Sequence, residues 1–201
     1  MSQIRTVEQL RAIISAPHPM TEAKLLDHLD EQARNFITLS PFLVMSTVGE
    51  TGAEASPKGD EPGFVHIADD RTLIIPERPG NKLAMGLQNI LANGRIGLLF
   101  MCPGTGETLR VSGTAQLTHD AALLAQLSAR GRPAVLAIRV DVARSFFHCA
   151  RSLLRSNLWE PEQWPERQTI SFGRIIVKTI KADAAVEKVI DGAVAASYQD
   201  L

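Results

Sequence analysis

The sequence predicts a mainly β fold with helices, an antiparallel barrel rather than a doubly wound parallel sheet. Short apolar or alternating runs recur between Phe42 and Val140, the pattern of half-buried and fully buried strands. Most of these runs follow one another through tight turns, as antiparallel neighbours do. Helical periodicity is found at the two ends and in short insertions.

Thr6 to Ile14 is a short amphipathic piece, and Pro17 and Pro19 break it. Thr21 is suited to cap a second helix, with Glu22 in its first turn and Leu25, Leu29, Ala33 and Phe36 on one face. Phe42 to Thr47 reads as a strand, Gly49 to Gly52 as a turn and Ala53 to Pro57 as an antiparallel return. Phe64 to Ile67 and Thr72 to Ile75 flank Asp69-Asp70 as a hairpin, and Pro76 is expected to end its second strand. Lys82 to Ala92 suits a helix, terminated at Asn93-Gly94. Strands follow at Ile96 to Met101 and Thr108 to Leu117. Asp120 to Ala129 is helical, Ala134 to Val140 is a strand, and a mixed segment runs to Leu158. Ile175 to Ile180 is read as a late strand and Ala184 to Ser197 as a terminal helix. This gives one domain in all: a helical segment over 1–40, the barrel over 41–181 and a helix over 182–201.

The 201 residues suffice for a core of ordinary size, and 45% hydrophobic with 21% charged residues is a globular composition. A net charge of -1 gives no bulk case for nucleic acid. Two cysteines, Cys102 and Cys149, make no disulfide framework, which fits a cytoplasmic setting. Met1-Ser2-Gln3-Ile4-Arg5 lacks the layout of a secretory signal, and no apolar run has membrane-spanning length. His148 and Cys149 are adjacent, a poor spacing for a shared metal, so no metal site is expected.

Four segments can carry chemistry. In Ile74 to Lys82 a strand ends and a helix begins, with Asn81 as N-cap and Arg78 and Lys82 beside it. Free first-turn amides and two cations suit a phosphate, and an ordinary turn with solvated charges has the same composition. Ala55 to Asp60 offers Ser56 and Lys58 at a strand end, toward a ligand's polar edge or on a surface turn. Thr108, Arg110 and Ser112 share one strand face, toward a ligand or toward solvent. Arg151, Arg155 and Trp159 recur every fourth residue, a helical stripe for an anionic ring system or for a surface contact. Gly104-Thr105-Gly106 is no dinucleotide fingerprint, because Leu109 stands at the third glycine and a strand follows.

Taken in order, Ser56-Pro57-Lys58-Gly59-Asp60, Ile75-Pro76-Glu77-Arg78-Pro79-Gly80-Asn81-Lys82, Gly106 to Gly113 and His148 through Trp159 resemble the pyridoxamine 5'-phosphate oxidase-like flavin proteins, over roughly residues 22 to 165. More narrowly they resemble a probable FMN-dependent subgroup. The resemblance implies a six-stranded antiparallel split β-barrel that dimerises, with FMN in grooves between the two chains. It implies that Arg78, Asn81 and Lys82 hold the FMN phosphate, with Ile75 and Pro76 also among the cofactor-binding residues. Ser56 and Lys58 would face the ring or ribityl chain, Thr108 and Arg110 would sit where the family has a ring-edge contact and a structural arginine, and Arg155, Ser156 and Trp159 would approach from the partner chain. The implied activity is a flavin-dependent oxidoreductase acting on a small-molecule substrate or electron donor, with no catalytic acid or base nominated. The alternatives are a non-catalytic flavin carrier or relay, or a relative binding deazaflavin or haem. The arginine-rich stretch and the C-terminal arginine-histidine motif of true pyridoxamine phosphate oxidases have no counterpart here, so the vitamin B6 substrate is not expected.

Overall fold

The computed structural model describes residues 3–50 and 52–199. Met1 and Ser2, where the signal reading starts, and Thr51 of the Gly49–Gly52 turn lie outside that range. The chain forms two compact units, a larger one up to Glu160 and a smaller one from Pro161.

The larger unit is built on one antiparallel sheet of seven strands: β1 (Phe42–Gly49), β2 (Gly52–Gly59), β3 (His66–Ile67), β4 (Thr72–Glu77), β5 (Arg95–Met101), β6 (Thr108–Thr118) and β7 (Leu136–His148). Their order is β2-β1-β5-β6-β7-β4-β3. Six strands are expected and seven are found among the described residues, the additional one being β3 with two residues. Among the described residues no backbone ladder joins the two ends of the sheet.

Strict alternation decides which residues form the core. Leu43 and Met45 of β1, Leu98 and Phe100 of β5, Leu109 and Val111 of β6, and Ile138 and Val140 of β7 all turn to the same side and are buried. Helix α3 (Glu31–Leu39) covers this core with Ala33, Phe36 and Ile37, and α4 (Met85–Asn93) with Ile90. Asn89 of α4 donates from Nδ2 to Thr47 Oγ1 at 3.2 Å, which satisfies a buried polar pair. Long β6 and β7 stay paired across a register shift, a bulge between Ser112 and Gly113. A Cβ on Gly113 would lie 2.0 Å from the Asp141 carbonyl oxygen, so only glycine fits there.

Several boundaries differ from the sequence expectation. The first helix, α1 (Val7–Ile13), is capped by Thr6. The second helix is interrupted: α2 (Pro19–Glu22) is capped by His18 rather than Thr21, and α3 starts only after Asp30. The intervening residues strap the sheet instead. Leu26 pairs with Ser145, the Leu29 amide bonds to the Asp70 carbonyl, and Arg71 holds Asp27 at 2.9 Å. Pro76 does not end β4 but pairs with Ala137. Past Ile74 that strand has a neighbour on one side only, where a residue without N–H is tolerated. Helix α5 (Ala121–Gln126) is shorter than expected, and β7 absorbs the mixed segment up to His148 before α6 (Arg151–Arg155). In the smaller unit, Ile175 to Ile180 is no strand. It belongs to α7 (Phe172–Ile180), capped by Ser171, which pairs with α8 (Ala185–Ser197). Asp191 of α8 accepts from Ser171 Oγ and the Gly173 amide and so fixes the start of α7.

Two ion pairs bridge the region between β2 and β4, which share no ladder. Lys58 Nζ bonds to Glu77, and Arg78 Nε to Asp60 Oδ2 at 2.7 Å. The Asp60 side chain is only 8% exposed and Arg78 Nη1 is itself buried, so removing the Asp60 charge strands a partly buried guanidinium. Asp60→Asn is expected to lower stability by about 1–3 kcal/mol in denaturant titrations, well beyond the effect of breaking the exposed Arg139–Asp141 pair. Gly113→Ala is expected to be at least as damaging, about 2 kcal/mol or more, from its backbone clash. Asp27 supplies a pH test. Hydrogen bonds from His28 and then Arg71 hold its carboxyl at about 2, against an ordinary 3.8. Its contribution is present above the ordinary value and is lost as pH falls through about 2. In an NMR titration His28→Ala is expected to move the midpoint back toward 3.8.

Candidate functional site

The Arg78–Ala84 connection between β4 and α4 determines the site. Helix α4 begins at Met85, three residues after the expected start, because Lys82 (φ 63°) and Ala84 (φ 53°) both adopt the left-handed region. Asn81 therefore does not cap the helix. Its Oδ1 accepts from the Leu83 amide at 3.0 Å and shapes the loop. Ala84 takes the cap position and provides no side-chain acceptor, so the first-turn amides of α4 lack a side-chain cap. Gly86 lets this helix start approach the sheet. A Cβ there would lie 3.0 Å from Met45 Cε and 3.5 Å from Ser56 Oγ.

Two adjoining pockets flank this loop. One, of about 370 Å³, is bounded by Ser56, Lys58, Asn81 and the first turn of α4. The other, of about 180 Å³, lies among Lys58, Phe64, Pro76 and Arg78. Lys58 and Glu77 line both, so their ion pair is the shared wall. Arg78 spends Nε on Asp60, and its Nη1 is buried with no hydrogen-bond partner. A buried N–H of a charged group left unpaired costs free energy, which an incoming anionic oxygen offsets. Lys82 is exposed on the same loop.

The other expected residues lie elsewhere. Ile75 is fully buried in the core and presents no side chain to either pocket, whereas Pro76 forms part of the smaller one. Thr108 and Arg110 line a separate cleft on the opposite face of the sheet, where Arg110 stacks over Phe146 at 5.1 Å. Arg155 ends α6, and Ser156 caps it with Oγ bonded to the Leu153 carbonyl. Asn157 then turns into the left-handed region, so Arg151, Arg155 and Trp159 share no helical stripe. Trp159 instead donates from Nε1 to the Thr105 carbonyl at 2.9 Å. A single chain thus gathers Ser56, Lys58, Pro76, Arg78 and Asn81, with Lys82 on the loop. It does not bring Thr108, Arg110, Arg155, Ser156 or Trp159 to them.

Sequence reasoning missed the acids. Asp60 and Glu77 stand within the quoted motifs, but only the fold shows that each neutralises a cation of the pocket. The available signal was their alternation with Lys58 and Arg78 at two strand ends. No group of three or more potential metal ligands occurs among the described residues. No helix among them is long and apolar enough to cross a membrane.

The chain is similar in structure to HupZ of Group A Streptococcus (21% identity, 59% of this chain and 92% of that one, TM-score 0.48). It is also similar to a putative pyridoxamine 5'-phosphate oxidase from Lactobacillus delbrueckii (19% identity, 60% and 95%, TM-score 0.46). A third similar structure is an FAD binding protein from Mycobacterium smegmatis (16% identity, 61% and 97%, TM-score 0.43). No curated protein matches the chain. The family profile described as pyridoxamine 5'-phosphate oxidase matches residues 29–149, more than half of the chain and all seven strands. The chain belongs to the pyridoxamine 5'-phosphate oxidase family.

Proposed function

We propose that this protein binds FMN with the phosphate at the Arg78–Ala84 loop and works as a flavin-dependent oxidoreductase on a small-molecule substrate or electron donor. The observation that carries the reading is the buried, unpartnered Nη1 of Arg78, on the loop that leads into α4, whose first turn has no side-chain cap. Together they supply hydrogen-bond donors and positive potential for a phosphate. When bound, the flavin supplies the electron-transfer chemistry. The chain's own residues bind and orient. Arg78 and the α4 amides take the anionic end, with Lys82 close on the loop. Ser56 offers a hydroxyl in the same pocket, and the Lys58–Glu77 pair gives the wall a donor and an acceptor without net charge.

Family membership and this donor set favour FMN over a deazaflavin or haem. The six longer strands are read as a split barrel whose seam the two ion pairs span. The placement of the remaining residues supports a homodimer. Thr108 and Arg110 lie on the face opposite Ser56 and Lys58, so one ligand meets both sets only if a second copy contributes one of them. Arg155, Ser156 and Trp159 belong in this reading to the partner's contribution. A cytoplasmic setting remains part of the proposal.

Titration of the full-length protein into FMN is expected to quench flavin fluorescence to saturation. Arg78→Gln is expected to weaken binding by about tenfold or more. Unquenched FMN, or equal affinity in both proteins, rules the phosphate site out. Light scattering is expected to give twice the chain mass of 21.9 kDa. Bound FMN that no reductant reduces points to a carrier instead of an oxidoreductase.

A further inference from the structure

The smaller unit is built on a hairpin of two helices, and two helices alone cannot bury all of their apolar surface. In α7, Gly173 and Val177 turn toward α8, whose Val186, Ile190 and Val194 are half-buried. Arg174 pairs with Glu187 across the hairpin at 3.3 Å, so the charged sides of the two helices meet along one edge. Their uncharged sides share the other edge. By helical spacing that edge carries Phe172, Ile176 and Ile180 of α7 with Val189 and Ala193 of α8. Phe172 is 44% exposed, Ile180 64% and Val189 71%. Among the described residues of α7 and α8, no Asp, Glu, Lys or Arg stands on this side.

This face has the extent of an interface. At those exposures it offers about 600 Å² per copy, against roughly 800 Å² that one partner gives to a standard stable complex, and as much as a monomer leaves in its largest apolar patch. Its relief is self-complementary. Large side chains line α7, whereas Ala185, Gly192, Ala193 and Ala196 keep the exposed side of α8 low. A two-fold axis sets α7 of each copy on α8 of the other, as an isologous contact requires. Gly192 supports this arrangement. It lies inside α8, where only proline is less favourable than glycine, yet a Cβ there would meet nothing within 4 Å in its own chain. Gly113 and Gly173 each face backbone that leaves no room for a side chain. Gly192 has no such neighbour, and a helix approaching closely from a second copy supplies one. A lipid surface fits less well. Acidic side chains outnumber basic ones across 161–201, so the hairpin has no positive excess to hold anionic headgroups.

We propose that the α7–α8 hairpin docks on the same hairpin of a second copy, the two forming a four-helix bundle with Phe172, Ile176, Ile180 and Val189 at its centre. The contact uses no residue assigned to the flavin. It is additional to the pairing inferred from Thr108 and Arg110, and stands whether or not FMN binds.

The test is photo-crosslinking of the full-length protein carrying Phe172→p-benzoylphenylalanine, with isotopically labelled and unlabelled copies mixed and the products mapped by mass spectrometry. Products that join a labelled to an unlabelled chain within residues 185–197 are expected. Ile176→Asp buries a charge in the contact and is expected to lower their yield by about tenfold or more. Gly192→Leu, which meets nothing in its own chain, is expected to do the same with helix content unchanged. FMN affinity is expected to stay the same in both variants, so failure here is distinct from failure of the flavin reading. Products confined to one chain, no product between chains, or yields that survive both substitutions overturn the proposal. So does co-sedimentation with phosphatidylglycerol vesicles that Ile176→Asp abolishes, which makes the face a lipid contact instead.

Discussion

The structure depends on how an open sheet is held at its seam. Backbone hydrogen bonds run without interruption from β2 to β3 through five intervening strands, but none joins the first to the last. Side-chain charge does that work between β2 and β4, through Lys58 with Glu77 and Arg78 with Asp60. These contacts are short, directional and largely removed from water, so each half of a pair requires the other. Three of these residues, Lys58, Glu77 and Arg78, also line the inner pockets, and Asp60 holds Arg78 from outside them, so the link between β2 and β4 and the construction of the site are one problem. A change that tunes the pocket charge also acts on the seam.

The pleat then sorts the remaining chemistry. Residues at odd and even positions of β1, β5, β6 and β7 face opposite directions, one set forming the core and the other an outer surface. That is why Thr108 and Arg110, close in sequence to other family-like motifs, stand apart from Ser56 and Lys58 within one chain. The interruption between α2 and α3 serves this arrangement. Residues 26–29 are tied to Ser145, Asp70 and Arg71 rather than spent on helix, and Leu25 is thereby set against the outer cleft.

Much of the sheet was legible in the sequence because alternation and turn residues are local signals. β1, β2, β5 and β6 lie close to where periodicity puts them, and Gly94 ends α4 as expected. What escaped depended on tertiary context. Ile175 to Ile180 has a β-branched run that reads as strand, yet Asp191 and Ser171 fix the start of a helix there. Pro76 reads as a stop, but an edge without a neighbour accommodates it. Asn81 has the composition of a cap, and two left-handed residues delay the helix past it. For the site, residue types identified the cations and not their acids, because the pairing of Asp60 with Arg78 is made across 18 positions of sequence.

The neutralised inner pockets have a kinetic consequence. A cation already matched by a carboxylate projects little potential beyond its own contacts, so a ligand bound there is retained by close-range fit rather than drawn in from a distance. Its association rate would depend on salt chiefly through Lys82, exposed on the same loop. The cleft on the opposite face has another character: among the described residues its Arg110 and Arg144 have no carboxylate partner, so their field extends over roughly a Debye length and added salt screens it. One small, nearly neutral chain thus presents two surfaces that solvent ions would regulate differently.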